Sequence, residues 1–301
     1  MGGMMRWHRA ATGGTVAILL ALLAQPSPTR ADDSSCADTG ATPYQPSYTE
    51  LQDAFYRAAN DLLGGGFFTL PQIKRGHPDP TLVAARVPAV LLKAIAASES
   101  SWFQATYGTS RGSNGPPLMP GGGCAYGVMQ IASGMGYRGQ MDTSVQYRIA
   151  NEYRYNTGWG AKVLVEKWNV APAFGRKVVG QRNPGIIEDW YYAVWGYNGW
   201  SYQNNPNNPD YAWPRPAFNS PGGLPRSEYP YQEIVWGYAA YPLRSGGGAG
   251  PELWGGVPLT LPNRDLVGDP PQDISTPSPS HAAFLYQAYF PQATKGYAGG
   301  W

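Results

Sequence analysis

The sequence predicts a mainly α-helical domain whose helices are joined by long irregular connections. Several segments carry apolar residues at three- and four-residue spacing, which is the period of one helix face. The chain also contains 39 Gly and 29 Pro, which are typical of extended loops between such segments. Its 301 residues can form one large domain or two modest ones, with ample material for a core. We therefore expect helices joined by long loops.

The first predicted helix opens at Tyr48-Thr-Glu50 and ends at Gly64-Gly-Gly66. Its apolar positions follow the helical period: Leu51, Phe55, Ala58, Ala59, Leu62 and Leu63. A turn-rich segment around His77-Pro-Asp-Pro80 follows and leads into the next helix.

Residues 87–102 predict a second, strongly apolar helix that carries one carboxylate. Leu91, Ile95 and Glu99 share one helix face, and Pro88 suits a first helical turn. A carboxyl at the inner end of such a face is partly stripped of water, which raises its pKa. It can then stay protonated near neutral pH, as a general acid must. The alternative is that Glu99 caps a neighbour or lies in solvent.

Three later segments also predict helices, at residues 145–168, 186–197 and 231–241. Ser201 to Pro225 is too rich in Asn, Pro and Gly for a regular element. Beyond Pro242 the chain is Gly/Pro-rich, with one late apolar patch from Ala282 to Phe290. This end of the chain is either a packed flank or an arm that contacts another surface.

The composition is compatible with a carbohydrate ligand, or equally with an aromatic-rich core and surface, and it disfavours several other functions. Aromatic residues make up 13% of the chain and charged residues 14%, and the aromatic rings suit sugar rings as well as they suit packing. The net charge of +2 is too small to indicate nucleic-acid binding. The three histidines lie far apart without ligand spacing, and no His-Glu-x-x-His or nucleophile-elbow serine occurs. We therefore expect no metal and no cofactor.

The N-terminus predicts an export signal. Arg6 and Arg9 precede a short apolar run, Thr15 to Leu23, and Ala31 marks a possible cleavage point. A retained membrane anchor is the alternative. In an exported chain, the only two cysteines, Cys36 and Cys124, are expected to form a disulfide.

Four short motifs occur in one order along the chain. They are Glu99-Ser100, Gly127-Val-Met-Gln130, Asn156 with Gly160 and Leu164, and Tyr197-Asn198. Together they resemble the soluble (SLT-type) lytic transglycosylases of the lysozyme-like superfamily and, more distantly, goose-type lysozyme. The resemblance covers about residues 82–241. Departures from the family pattern include Cys124 and Val128, in place of the usual Gly and Leu, and the long insert after Asn198.

The resemblance implies a lysozyme-like fold and cleavage of the β-1,4 bond between N-acetylmuramic acid and N-acetylglucosamine. Glu99 would be the single catalytic acid and base, and the product would carry a 1,6-anhydro end. The other implied roles are substrate contacts or groove supports: Ser100 for the Glu99 loop or the substrate, Met129 and Gln130 for the groove floor, Tyr197 for a hydrogen bond to Glu99 or the sugar, and Asn198 for the N-acetyl side. The alternatives are a core position for Met129, an internal hydrogen-bonding role for Gln130 and a helix cap for Asn198. Asn156 with Gly160 is expected to be a packing contact.

The sequence also offers aromatic residues that could stack on sugar rings, and carboxylates that could assist Glu99. Aromatic candidates for stacking on sugar rings are Trp102, Tyr107, Tyr126 and Trp200. Candidates for a second carboxylate are Asp142, Glu188, Asp189, Glu228 and Glu233, each more often a solvated surface charge.

The predicted organisation is a signal peptide at 1–31, an arm at 32–47, a lysozyme-like domain at 48–241 and an irregular extension at 242–301. The mature chain is expected to act as a secreted, periplasmic or cell-wall-associated monomer on peptidoglycan glycan strands, without nucleic acid and without a membrane span after signal cleavage. Two alternatives stay open, a hydrolytic muramidase and a non-catalytic peptidoglycan-binding protein.

Overall fold

The computed structural model describes residues 36–284, apart from 38, 65, 68, 121–122, 137–140 and 175–176. Within these residues the chain forms seven α-helices and one small two-stranded sheet, so the predicted mainly helical class is confirmed. The predicted signal peptide, residues 1–31, and most of the apolar patch at 282–290 lie outside the described residues.

The first two helices occur where the sequence predicts them, but α1 ends at Ala59, so the prediction that it continues through Leu62 and Leu63 to Gly64 is wrong. Helix α1 spans Tyr48–Ala59, and its N-terminus is held by a capping box in which Ser47 and Glu50 bond each other's backbone N–H. Helix α2 spans Ala89–Ser100 and carries Glu99 in its last turn. The turn-rich segment between them contains an unpredicted antiparallel hairpin, β1 (Ile73–Arg75) with β2 (Thr81–Val83).

The helix predicted at residues 145–168 is two helices, α3 (Thr143–Asn151) and α4 (Tyr153–Val170). Glu152 between them has extended backbone, with φ −105° and ψ 105°. The break leaves carbonyls at the end of α3 without helical partners. The side-chain amides of Gln104 and Asn156 donate to these carbonyls, so long-range hydrogen bonds replace the helical ones.

The remaining elements are α5 (Tyr191–Tyr197), α6 (Tyr231–Ala240) and the short α7 (Arg264–Val267). A 3-10 turn precedes α5, so the predicted helix at 186–197 is shorter than expected. Residues 198–230, all of them described, form a long connection with two short 3-10 turns, in agreement with the irregular structure predicted from Ser201 to Pro225.

One hydrophobic core joins these elements and includes the segments on either side of residues 48–241. Helix α2 packs against α1 and α6, and α4 packs against α1 and α5. Leu253, Trp254 and Val267 belong to the same core, and the Trp254 ring stacks on Trp102 with centroids 5.0 Å apart. The described part of the C-terminal extension is therefore a packed flank.

The N-terminal arm is also part of this packed structure. Cys36 and Cys124 form the expected disulfide. The buried Gln45 side chain accepts hydrogen bonds from the Gln104 and Ala105 N–H groups and donates to the Trp102 carbonyl. No helix in the described part of the chain is long and apolar enough to cross a membrane.

Candidate functional site

Glu99 lies in the last turn of α2, partly buried, with its carboxylate fixed by a tyrosine. The Tyr231 hydroxyl donates to Glu99 Oε1 at 2.5 Å. Burial raises the pKa of Glu99 to about 7, against the opposing effects of the Tyr231 hydrogen bond and the Arg226 charge. A large fraction of the carboxyl is thus protonated at neutral pH, and Glu99 can act as a proton donor.

The chain turns sharply directly after Glu99. Ser101 and Trp102 both have left-handed backbone, with φ 51° and 65°, which is uncommon for residues other than glycine. The Trp102 ring is buried 4.9 Å from the Phe55 ring, and its indole N–H donates to the Lys93 carbonyl at 2.9 Å. This packing holds the strained turn and so fixes the end of α2.

The sequence motifs meet at one turn, residues 126–131, which we call the Met129 turn. The Ser100 hydroxyl donates to the Val128 carbonyl at 2.7 Å. The Tyr197 hydroxyl donates to the Met129 carbonyl at 2.9 Å. These two bonds connect the ends of α2 and α5 to two adjacent peptide units of the Met129 turn.

Asn156 and Gly160 on α4 hold the other side of the Met129 turn. The Asn156 side chain accepts from the Met129 N–H and donates to the Tyr126 carbonyl, both at 2.7 Å. Gly160 lies against the Met129 side chain, and a Cβ at this glycine would come within 2.9 Å of three of its atoms. Asn156 and Gly160 are therefore packing and clamping residues.

Gln104 also holds the Met129 turn in place, a role that the sequence did not predict. Its buried side chain accepts from the Val128 N–H at 3.0 Å and donates to the Ala150 carbonyl at 2.9 Å. Gly127 has φ 71°, and a Cβ there would meet the amide groups of Gln104 and Asn156 within 2.7 Å. A glycine is required at this position because of both its backbone conformation and this close approach.

Three of the predicted substrate-binding residues are interior supports. Ser100, Tyr126 and Met129 are each no more than 1% exposed. The Tyr126 hydroxyl donates to the Ala37 carbonyl at 2.7 Å, so its ring is not a stacking surface. Gln130 is partly exposed and donates its side-chain amide to the Gly127 carbonyl at 2.8 Å.

Tyr197 was predicted to bond either Glu99 or the sugar, and in the structure its hydroxyl donates to the Met129 carbonyl while Tyr231 bonds Glu99. Burial, and after it the nearby Glu99 charge, raise the pKa of Tyr197 well above its usual value. Asn198 is exposed, and its side-chain oxygen accepts from Asn204 at 3.1 Å.

The long connection between α5 and α6 positions Tyr231. The buried Asn204 accepts from the Tyr231 N–H at 3.0 Å at the start of α6. An ion pair between Arg215 and Glu233, with side chains 1% and 7% exposed, also fastens the connection to α6. The sequence signal for Tyr231 was only a tyrosine at the start of an apolar helix, where a buried hydroxyl needs a partner.

Arg226 is another unpredicted residue beside Glu99. It lies on the 3-10 turn Arg226–Glu228 and donates to the Ser98 carbonyl at 3.2 Å and to the Ser98 hydroxyl at 2.9 Å. The connection therefore places a positive charge next to the last turn of α2, and this charge lowers the pKa of Glu99.

A cleft of about 470 Å³, which we call the polar cleft, adjoins these groups. Both Arg226 and Tyr231 line it. Its other lining residues include Asn198, Gln203, Asn204, Asn208, Asp210 and Tyr211. Amides, hydroxyls and charged groups of this kind orient a polar ligand by hydrogen bonding.

Two further aromatic candidates are engaged within the protein. Trp102 is fully buried. The Trp200 indole donates to the Tyr192 carbonyl at 2.8 Å, and its ring lies where a Cβ on Gly196 would be. Tyr107 is 51% exposed and stays available for a sugar ring.

The expectation of solvated surface charges is wrong for three of the candidate second carboxylates. Glu188, Asp189 and Glu233 are buried and paired with His281, Thr276 and Arg215 respectively. Asp142 caps α3 through the Ser144 N–H. Asp210, which the sequence did not single out, is the exposed carboxylate that lines the polar cleft.

Within the described residues, no group of three or more His, Cys, Asp or Glu side chains is placed to hold a metal ion. Comparisons with protein-family models, with curated proteins and with solved structures found no match. The site is therefore defined by its own geometry, an acid of raised pKa beside a polar cleft in a mainly helical domain.

Proposed function

We propose that this chain is a peptidoglycan lytic transglycosylase with a lysozyme-like domain. The observation that carries the proposal is the Glu99 carboxyl, which has a pKa of about 7 and accepts a hydrogen bond from Tyr231, a residue that lines the polar cleft. The meeting of the sequence motifs around the Met129 turn supports the resemblance that suggested this function.

The proposed reaction uses one carboxyl twice. Protonated Glu99 gives its proton to the oxygen of the β-1,4 bond as that bond breaks at C1 of N-acetylmuramic acid. The resulting carboxylate then accepts the proton of the 6-hydroxyl of the same sugar, whose oxygen attacks C1 and closes the 1,6-anhydro ring. Because the sugar supplies its own nucleophile, no second carboxylate is required. The Tyr231 hydrogen bond stabilises the carboxylate between the two steps.

A hydrolytic muramidase is the second candidate, and the position of Asp210 is the observation that favours it. A carboxylate in the polar cleft can position a water molecule for attack on C1. A non-catalytic glycan-binding protein is less well supported, because a binding site gains little from a desolvated acid that costs stability.

The direct test is mass spectrometry of muropeptides released from purified sacculi by the mature chain and by Glu99→Gln. We expect anhydro-muropeptides from the native chain and a rate about 10² to 10⁴ lower from the variant. Glu166→Gln, a change at an exposed glutamate on α4, is the matched control and should leave the rate unchanged. Reducing ends would identify a muramidase instead, and binding without product would identify a binding protein.

The proposal includes export, removal of residues 1–31, and action at the cell wall as a monomer on glycan strands. N-terminal sequencing of the exported chain should begin at Asp32. An intact N-terminus on membrane-bound protein would contradict this part of the proposal.

A further inference from the structure

A second cavity, of about 860 Å³, lies beyond the end of α2 and is the starting point for one further inference. Tyr48, Phe103 and Tyr241 supply rings to its lining, and Asn219 and Ser220 supply polar groups. We call it the aromatic cavity. Much of its wall comes from residues 241–253, in the C-terminal flank.

One side of α6 extends from the polar cleft to the aromatic cavity. Tyr231, Ile234, Tyr238 and Tyr241 follow one another at spacings of three, four and three residues, so they lie along one side of the helix and its end. Tyr231 and Ile234 line the polar cleft, and Tyr241 lines the aromatic cavity. Ten residues of helix correspond to about 15 Å, which is long enough for more than one sugar unit between the two.

The end of α2 makes the same connection. Glu99 bonds Tyr231 of the polar cleft, whereas Ser101 and Phe103 line the aromatic cavity. The exposed Tyr107 ring lies edge-on to Phe103, with centroids 5.2 Å apart. Burial raises the pKa of Tyr107, the Arg226 charge lowers it and the Glu99 charge raises it, so Tyr107 lies within electrostatic reach of the acid.

We propose that the aromatic cavity binds N-acetylated sugar units of the same glycan strand, beyond Glu99 from the polar cleft. The strand then occupies both sides of Glu99, and the chain cleaves within glycan strands and not only at their ends. This inference rests on the proposed function. The chemistry of the cavity suits such a ligand, because flat aromatic faces pack on pyranose rings while amide and hydroxyl groups bond the hydroxyl and N-acetyl groups.

Tyr241→Ala is the variant that tests the aromatic cavity. The hydrogen bonds from Tyr241 N–H to the Gly237 carbonyl and from the Asn219 amide to the Tyr241 carbonyl involve only the Tyr241 backbone. Both survive the substitution, so the end of α6 is retained. Tyr147→Ala removes a similarly exposed tyrosine, 43% against 39%, from α3 and is the matched control.

The substrates are peptide-free glycan strands, either long or shortened so that they span the bond cleaved at Glu99 and fill the polar cleft without reaching the aromatic cavity. We expect Tyr241→Ala to lower kcat/KM on long strands by about tenfold, and to leave kcat/KM on the short substrate unchanged. Tyr147→Ala should change neither. Chromatography of early products from the native chain should show strands of intermediate length.

Several results would overturn the inference. Equal losses on long and short substrates would show that Tyr241 acts on the whole fold, and terminal fragments alone as early products would show cleavage from strand ends. If peptide-bearing strands are assayed beside the peptide-free ones and only they lose activity in Tyr241→Ala, the cavity is assigned to the stem peptide, with Arg244 and Glu252 as the charged residues in its lining.

Failure of the proposed function itself would look different, because the native chain would release no product from any strand. In that case, calorimetric titration with long peptide-free strands still tests the aromatic cavity. Weaker binding by Tyr241→Ala than by Tyr147→Ala would support sugar binding there, and equal binding would overturn it.

Discussion

The carboxyl of Glu99 is subject to opposing influences, and their balance sets its chemistry. Burial favours the neutral acid, while the Tyr231 hydroxyl and the Arg226 guanidinium favour the carboxylate. The resulting pKa of about 7 suits a group that must first give a proton and then accept one. Tyr231 is thus a positioning residue that also stabilises the form of Glu99 left after the first step.

The first prediction concerns Tyr231→Phe, which removes the hydrogen bond to Glu99 and leaves the ring in place. Without that bond the pKa of Glu99 rises further, because the hydrogen bond lowers it. The rate of the acid step falls as pH rises through this pKa, so the alkaline limb of the kcat/KM profile should move to higher pH. Tyr197→Phe is the control, because it loses only a hydrogen bond to the Met129 carbonyl. The alkaline limb of its kcat/KM profile should stay at the pH of the native chain. An unmoved limb in Tyr231→Phe would refute the assignment.

At the scale of elements, the sequence predicts most helices because their apolar spacing is a local property. Helix α1 buries one apolar face in this way, whereas α2 and α6 are apolar and buried on nearly every side, so their apolar content predicts them better than their spacing. The break at Glu152 was not predictable in this way, because the groups that satisfy the end of α3 come from Gln104, 45 residues earlier, and from the following helix. The hairpin of β1 and β2 has only three residues in each strand, too few for a clear alternation.

In the candidate site, too, features set by neighbouring residues were predictable and contacts between distant residues were not. Glu99 was found because its helix face is visible in the sequence. Its partner Tyr231 was missed because it lies 132 residues away, on the far side of an irregular connection. The sequence left open whether Met129 lies in the core or the groove and whether Ser100 supports the Glu99 loop or contacts substrate, and both are interior. The burial of Tyr126 was missed because a motif shows which residues occur together and not which of them face solvent.

A prediction at this scale concerns Asn156→Ala in α4. The change leaves the Met129 N–H and the Tyr126 carbonyl without their buried partner. We expect a loss of about 3 kcal/mol in the free energy of unfolding, measured with urea. Glu166→Ala on the exposed side of the same helix should cost less than about 1 kcal/mol. Equal effects of the two changes would show that the Met129 turn does not depend on Asn156.

On the scale of the whole molecule, the flanking segments are part of the structure that supports the site. Trp254 of the C-terminal flank stacks on Trp102, which holds the strained turn after Glu99. The Tyr126 hydroxyl donates to the Ala37 carbonyl in the arm, next to the disulfide between Cys36 and Cys124. Residues 48–241 alone therefore lack contacts that the site uses.

The prediction for the arm is that replacing both cysteines, Cys36→Ser with Cys124→Ser, lowers the free energy of unfolding by about 4 kcal/mol. The estimate follows from the long loop that the bond closes in the unfolded chain, with a sequence separation of 88. Chemical denaturation of the native chain and of the double variant measures the difference. A change below about 1 kcal/mol would show that the packing of the arm suffices without the bond.

The proposed mechanism requires the Glu99 carboxyl to be protonated near neutral pH. Carbon-13 NMR of the side-chain carboxyls, with the Glu99 signal identified by its loss in Glu99→Gln, follows this ionisation directly in the folded chain. We predict a midpoint near pH 7, well above the ordinary value of 4.5 for a glutamate. A midpoint at or below 4.5 would mean that Glu99 is ionised at neutral pH, and it would contradict its role as the acid.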